Sequence, residues 1–147
     1  MQSGSTATQN GKVLEKVVAS VLSTHGFQQL PFKDWKKGAA GDSDNLLLTR
    51  VPFTTIYGNQ GHTEFLLKSQ MHQMEIRIEC KWQQAAGSVD EKFPYLFLNC
   101  SEAMPEKQII IVLDGGGAKP SAVGWLKNRC LTFNKENTAG KTILALS

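Results

Sequence analysis

The residues of this sequence best suited to chemistry are Glu79, Lys81 and Gln83. They lie in the stretch Glu75–Gln83, where polar and apolar residues alternate. Glu75, Arg77, Glu79, Lys81 and Gln83 share one face, and Ile76, Ile78, Cys80 and Trp82 share the other, which reads as a strand with one apolar side. Residues two apart on a strand point the same way and stand roughly 6.5–7 Å apart. A carboxylate and an ammonium so placed can hold a hard cation and manage a water or a phosphate beside it. The same alternation suits a solvated sheet face with cross-paired charges, so the neighbouring elements have to decide.

Those elements follow from the pattern on either side. Gly11–His25 is predicted to be a helix, with Val13, Leu14, Val17, Val18, Val21 and Leu22 on one broad apolar face. Glu15 lies at the edge of that stripe, either as an ordinary flanking carboxylate or as one that reaches over the core into a site. Phe27–Asp44 is irregular, and its Lys33, Lys36, Lys37 and Trp35 suit either a solvated loop or one that tracks a phosphate backbone. Leu46–Phe53, with Pro52 near its end, reads as an edge-type strand. Thr63–Leu67 is a second strand, joined by short turns to the strand before it and to Glu75–Gln83 after it. Short connections imply antiparallel hairpins, which would bring Glu64 near Glu79 and Lys81.

Further along, Val89–Glu102 has helical spacing, Gln108–Leu113 is a continuous apolar run expected as a strand buried on both faces, Pro120–Arg129 reads as a helix, and Thr142–Leu146 as a last strand. A meander followed by alternation predicts an α/β fold: a mixed sheet of four or five strands flanked by helices. The expected organisation is a loose tail over residues 1–10 and one domain over 11–147.

The bulk composition narrows the function. The chain has 147 residues, 41% hydrophobic and 20% charged, enough for a packed core. A net charge of +3 mildly favours an anionic partner. Cys80, Cys100 and Cys130 include no Cys-x-x-Cys pair, which fits a reduced, cytoplasmic protein. Among them Cys130 is the one expected to be exposed. His25, His62 and His72 lack zinc-ligand spacing. No apolar run is long enough for a membrane span, and no secretory leader pattern is present. Asp114-Gly115-Gly116-Gly117 follows a strand but is not a phosphate-binding fingerprint, and no serine occupies a nucleophile elbow.

What remains is Glu64, Glu79 and Lys81. Two carboxylates on adjacent strands can share a divalent ion, and carboxylate-only sites suit magnesium, which keeps several waters and accepts substrate phosphate. Metal and lysine together would stabilise the charge that builds on a phosphodiester in its transition state.

The order of elements, with Glu15 on the first helix, Glu64 on one strand and Glu79-Cys80-Lys81 on the next, resembles the PD-(D/E)XK nuclease superfamily and its αβββαβ core. The stretch Arg77–Gln83, followed by Gly87–Lys92, resembles a small bacterial and phage-borne branch of it. The likeness covers roughly Gly11 to Arg129. It implies that Glu79 and Lys81 take the E-x-K roles and that Glu64 stands for the usual aspartate, preceded here by Thr63 in place of proline. It further implies a helix-borne carboxylate at Glu15, a water or phosphate contact at Gln83, and the backbone carbonyl of Cys80 as a metal ligand beside Glu64 and Glu79. Asp42, Asp44 and Asp114 fall outside the pattern, although Asp44 could replace Glu64 under a different strand order.

The resemblance implies magnesium, with manganese able to substitute, and hydrolysis of DNA phosphodiesters leaving 5′-phosphate ends. The implied type is a restriction or defence endonuclease, ahead of a structure-specific, junction-resolvase-like nuclease. A catalytically inactive DNA-binding protein on the same fold is the competing class, and RNA is not excluded as substrate. A homodimer through Thr142–Leu146, with Leu131 and Phe133, is one way to cut both strands of a duplex. The alternative is that this strand simply closes its own sheet.

Overall fold

The structure, a computed structural model, describes residues 3–82 and 88–147, with side chains over 11–82 and 90–147. Its centre is a six-stranded sheet in the order β1-β2-β3-β4-β5-β6. The strands are β1 (Gln28–Pro31), β2 (Leu46–Thr54), β3 (Gln60–Ser69), β4 (Met74–Trp82), β5 (Gln108–Asp114) and β6 (Thr142–Leu146). β2, β3 and β4 form an antiparallel meander, whereas β1 on β2, β5 on β4 and β6 on β5 are parallel pairs. This is the mixed, helix-flanked sheet expected, with one strand more. The extra strand is β1, inside the segment read as irregular. Its four residues are too few to show alternation, and it is held by parallel pairing to Leu46–Thr49.

Pairing with β1 also means that β2 is not an edge strand. Its Pro52 is nonetheless tolerated, because β1 ends opposite Thr49 and leaves the second half of β2 unpaired on that flank.

Helix α1 (Ser3–Thr24) crosses one face of the sheet. It begins at Ser3, so the stretch expected as a loose tail is helical backbone from there on. Nothing between Ser3 and Gly11 stops a helix from propagating: there is no proline, and a single glycine costs little once neighbouring turns have formed. At Gly11 an added Cβ would lie 4.0 Å from the Cβ of Trp82, so the helix passes close over the end of β4. Leu14 and Ala19, backed by Val18 and Leu22, pack on Leu47, Phe65, Leu67, Ile78 and Cys80. Val13, Val17 and Val21, expected on the buried face, are instead exposed. The apolar stripe of α1 is wider than the strip that the sheet covers.

The other face carries two clusters. One packs Phe93, Leu96 and Phe97 of α4 (Phe93–Leu98) with Leu126 and Cys130 of α5 (Pro120–Glu136) over Ile109, Ile111 and Ile143. The second lies under α2 (Phe32–Lys36) and joins Leu46, Leu48, Val51 and Leu66. Val89–Glu102 was expected as one helix. It is three pieces: α3 (Ser88–Glu91), α4, and a π-helical turn over Asn99–Ala103. Pro94 explains the first break, since proline fits the first turn of a helix but not its interior. Cys130 is buried in the α4–α5 cluster and not exposed, because α5 runs on past Arg129 to Glu136 and turns that position inward.

Candidate active site

The site lies where β3 and β4 part. Their pairing runs from Ser69↔Met74 to Phe65↔Ile78 and stops there. Beyond that point Glu64 fills the gap, and its Oε2 accepts the backbone N–H of Cys80 at 3.0 Å. A carboxylate thus takes the place of a ladder carbonyl, satisfying a donor that the parting strands would otherwise leave open.

What turns Glu64 toward this gap is a kink shared by β2 and β3. The β2–β3 register is continuous from Leu46↔Lys68 to Thr54↔Gln60 except opposite Arg50, where no pair forms. Arg50 has φ 51°, in the left-handed region that costs a non-glycine residue energy. The kink changes the face on which residues fall. By alternation Val51 would share the face of Leu47, yet it packs with Leu46 and Leu48. On β3, Thr63 is likewise turned to the face of Arg77, whose Nη1 donates to its hydroxyl at 2.9 Å. The residue between Thr63 and Phe65 is Glu64.

Arg77 holds the kink from beneath. It is buried and forms an ion pair through Nε, and through Nη2 at 3.1 Å, with the buried Glu106. Its remaining N–H groups donate to the carbonyls of Val51 and Pro52, each at 3.2 Å. One guanidinium therefore ties β4 to the strand pair whose distortion presents Glu64. The sequence does place Arg77 on the face of Glu79 and Lys81. Its role could have been suspected from one feature: a face that α4 must cover cannot carry an unpaired arginine.

Glu79 is buried, and its carboxyl is hydrogen-bonded to that of Glu64. Burial is the largest reason why its pKa stands well above the ordinary carboxyl value, followed by the hydrogen bond with Glu64; Lys81 pulls the other way. Lys81 is half-exposed, with Nζ 3.8 Å from Oε1 of Glu79. Glu15, on α1, is raised by burial and by the charge of Glu64, and lowered by Lys12 and Lys81. The Cys80 thiol is pushed up by burial and then by the charges of Glu64, Glu79 and Glu15, which makes it a poor nucleophile. Glu15, Glu64, Glu79 and Lys81 thus act on one another at one place. Gln83 lies outside the described residues.

Asp44 does not join this group. It caps the β3–β4 turn, accepting the N–H groups of Gln70 and Met71 at 2.7 and 2.9 Å, at the far end of the β3–β4 ladder from Glu79. Asp114 accepts the N–H of Gly115 at 2.7 Å. Lys33 and Lys36 lie on α2, outside the two cavities that reach the carboxylates.

Those cavities flank β3. One, of about 820 Å³, is lined by Lys12, Glu15, Lys16, Arg50 and Glu64; the other, of about 400 Å³, by Glu79, Lys81, Lys92, Tyr95 and Asn99. His62 lines both. Asn99 begins the π-helical turn, and its Oδ1 accepts the N–H of Ile56 at 3.0 Å, fixing the β2–β3 hairpin against α4.

The chemistry of the donors suits a hard cation. Glu64 and Glu79, two carboxyl groups side by side, would supply oxygen ligands to a divalent ion, whose charge would offset their repulsion. Among the described residues no group of three His, Cys, Asp or Glu side chains is arranged to hold a metal ion by itself.

A mixed sheet with a carboxylate pair and a lysine where two central strands part defines a class of phosphodiester hydrolases. A family model described as a PD-(D/E)XK nuclease superfamily domain matches residues 6–147. The chain belongs to the PD-(D/E)XK nuclease superfamily. Nucleases of this superfamily generally use divalent metals and act on nucleic acid. Comparison with curated proteins and with solved structures gives no match.

Proposed function

We propose that this chain is a magnesium-dependent DNA endonuclease of restriction or defence type. The observation that carries the reading is the contact of Glu64 with Glu79 beside Lys81, at the point where β3 leaves β4.

Magnesium bound there, or manganese in its place, would polarise a phosphoryl oxygen and acidify a water. Glu64 and Glu79 supply the ligand oxygens. The carbonyl of Cys80 is a third candidate ligand, because the N–H and C=O of one residue in a strand face the same edge and the Cys80 N–H faces Glu64. Lys81 is half-exposed and held by Glu79, so its ammonium can orient the attacking water and offset charge on the phosphate. Glu15 lines the same cavity as Glu64 and feels its charge, so it would act on the same cation through a water. Gln83 is assigned a water or phosphate contact by family likeness alone.

A cytoplasmic protein is proposed, since all three cysteines are free and buried. No helix among the described residues is long and apolar enough to cross a membrane. A homodimer is proposed through β6 and α5. Among the described residues β6 is the sheet's last strand, with one side unpaired, and Leu131, Leu144 and Leu146 are exposed near that edge, whereas Phe133 packs on Phe97.

Incubation with a random-sequence duplex library, branched DNA and RNA, each with magnesium or with chelator, tests this. Cuts at a recurring duplex sequence support the restriction or defence reading. Preference for branches makes the chain a structure-specific nuclease, and cleavage of RNA alone overturns DNA as substrate. Binding without cleavage under any divalent ion would make it a DNA-binding protein on a retired nuclease fold.

A further inference from the structure

The cavity between α1 and the β2–β3 kink is a second feature with its own chemistry. Lys12 and Lys16 stand one helical turn apart, on the same side of α1. Across the cavity from them is Arg50. Its side chain is exposed, and it forms no ion pair among the described residues. Glycine or asparagine would hold its left-handed backbone at lower cost. The kink thus spends backbone strain to carry a guanidinium, at the position facing Glu64. Strain of this kind belongs where the surrounding structure uses the residue.

Three cations that line one cavity, none of them in an ion pair among the described residues, raise its potential and favour an anion. Glu15 and Glu64 also line the cavity, and His62 lines both it and the second cavity, where Glu79, Lys81 and Lys92 lie. A chain of phosphates could follow that path across β3. A compact anion could not use both ends.

We propose that Lys12, Lys16 and Arg50 form the groove that grips the phosphodiester backbone of a nucleic-acid strand on one side of the carboxylates, with Arg50 as its central phosphate contact. This rests on the nuclease reading for the direction of the strand, but not for the anion site. Arginine suits the place, since its planar fork takes two phosphate oxygens at once. The groove sits beside the reacting centre, so these contacts set where the strand lies and do not read bases.

The test is binding of a labelled single strand and of its duplex by the full chain, measured by anisotropy across a salt series. Turnover is blocked by the Lys81→Ala change. Arg50→Gly keeps the left-handed backbone and removes the charge; Arg50→Asn does the same should glycine loosen the strand. With melting temperature unchanged, either variant is expected to lower the slope of log K against log salt by about 0.9 on duplex or about 0.7 on single strand, one phosphate contact. Lys12→Gln with Lys16→Gln is expected to lower it by about twice that. The arm with the full slope change identifies the form the groove takes. A slope and affinity equal to those of the parent in both Arg50 variants overturns the proposal. Cleavage is scored separately, with Lys81 intact. An Arg50-dependent slope without any cleavage leaves the groove standing and removes the nuclease reading. Cleavage with no Arg50 dependence does the reverse.

Discussion

The Oε2 of Glu64 accepts the N–H of Cys80 at 3.0 Å, at the place where β3 no longer pairs with β4. One carboxylate thereby does two jobs: it satisfies an open backbone donor and it stands against Glu79. The two jobs separate by mutation. Glu64→Gln keeps an acceptor for the N–H, whereas Glu64→Ala leaves the donor unpaired and should be about 1 kcal/mol less stable than Glu64→Gln. Both should lose magnesium affinity and cleavage together. Thermal melts paired with metal titration check this; a Glu64→Ala chain that still cleaves normally contradicts it.

Glu79 predicts a pH dependence. Its pKa in the folded chain is raised, chiefly by burial, so the native state binds its proton more tightly than the unfolded chain does. The associated stability is complete below the unfolded value of about 4.3, and is lost as pH rises from there through the raised folded value. Without metal, the melting temperature of the parent should therefore fall relative to Glu79→Gln over that window. Magnesium should reverse the loss, and its apparent affinity should rise with pH as the proton it displaces becomes easier to remove. Parallel pH profiles for parent and Glu79→Gln would count against a buried Glu79 with a raised pKa.

The Arg77–Glu106 pair predicts a stability effect coupled to the site. Removing one partner leaves a buried charge unpaired, at a cost of about 3–5 kcal/mol. Arg77→Met combined with Glu106→Leu should recover much of that stability by replacing both charges with apolar bulk. Cleavage should not recover with it, since Thr63 and the Val51 and Pro52 carbonyls would still lack the guanidinium that fixes the kink. Denaturant midpoints and cleavage rates for the single and double variants decide the matter.

The antiparallel pairing of β2, β3 and β4, which brings Glu64 near Glu79, was legible because short turns between alternating stretches specify hairpins; the parallel place of β5 beside β4 was not, since helices separate the two in the chain. β1 was not, since four residues carry no period. The exposed side of α1 was not either, because Val13, Val17 and Val21 belong to the apolar stripe whether or not the sheet is wide enough to cover them. The kink at Arg50 was hidden for a different reason: simple alternation would have turned Glu64 away from α1, and only a left-handed residue on the neighbouring strand corrects it. Arg77 could be seen on the right face but not with its partner, because Glu106 comes from a segment remote in sequence.

Assembly gives a separate prediction. If β6 and Leu131, Leu144 and Leu146 meet a second copy, sedimentation at micromolar concentration should show a dimer, and Leu144→Lys should dissociate it. A clean 16.2 kDa species with and without DNA would leave a monomer that nicks one strand at a time.

The most direct measurement of the central claim is cleavage of supercoiled plasmid by the parent and by Lys81→Ala, in magnesium and in chelator, with DNA binding followed alongside. The account predicts cleavage by the parent that chelator abolishes. It also predicts a loss on the order of 10²–10³-fold in Lys81→Ala while DNA binding is retained, as expected when an electrostatic group acts on the transition state. Cleavage by Lys81→Ala at the parental rate, or DNA binding by the parent without cleavage under any divalent ion, would contradict it.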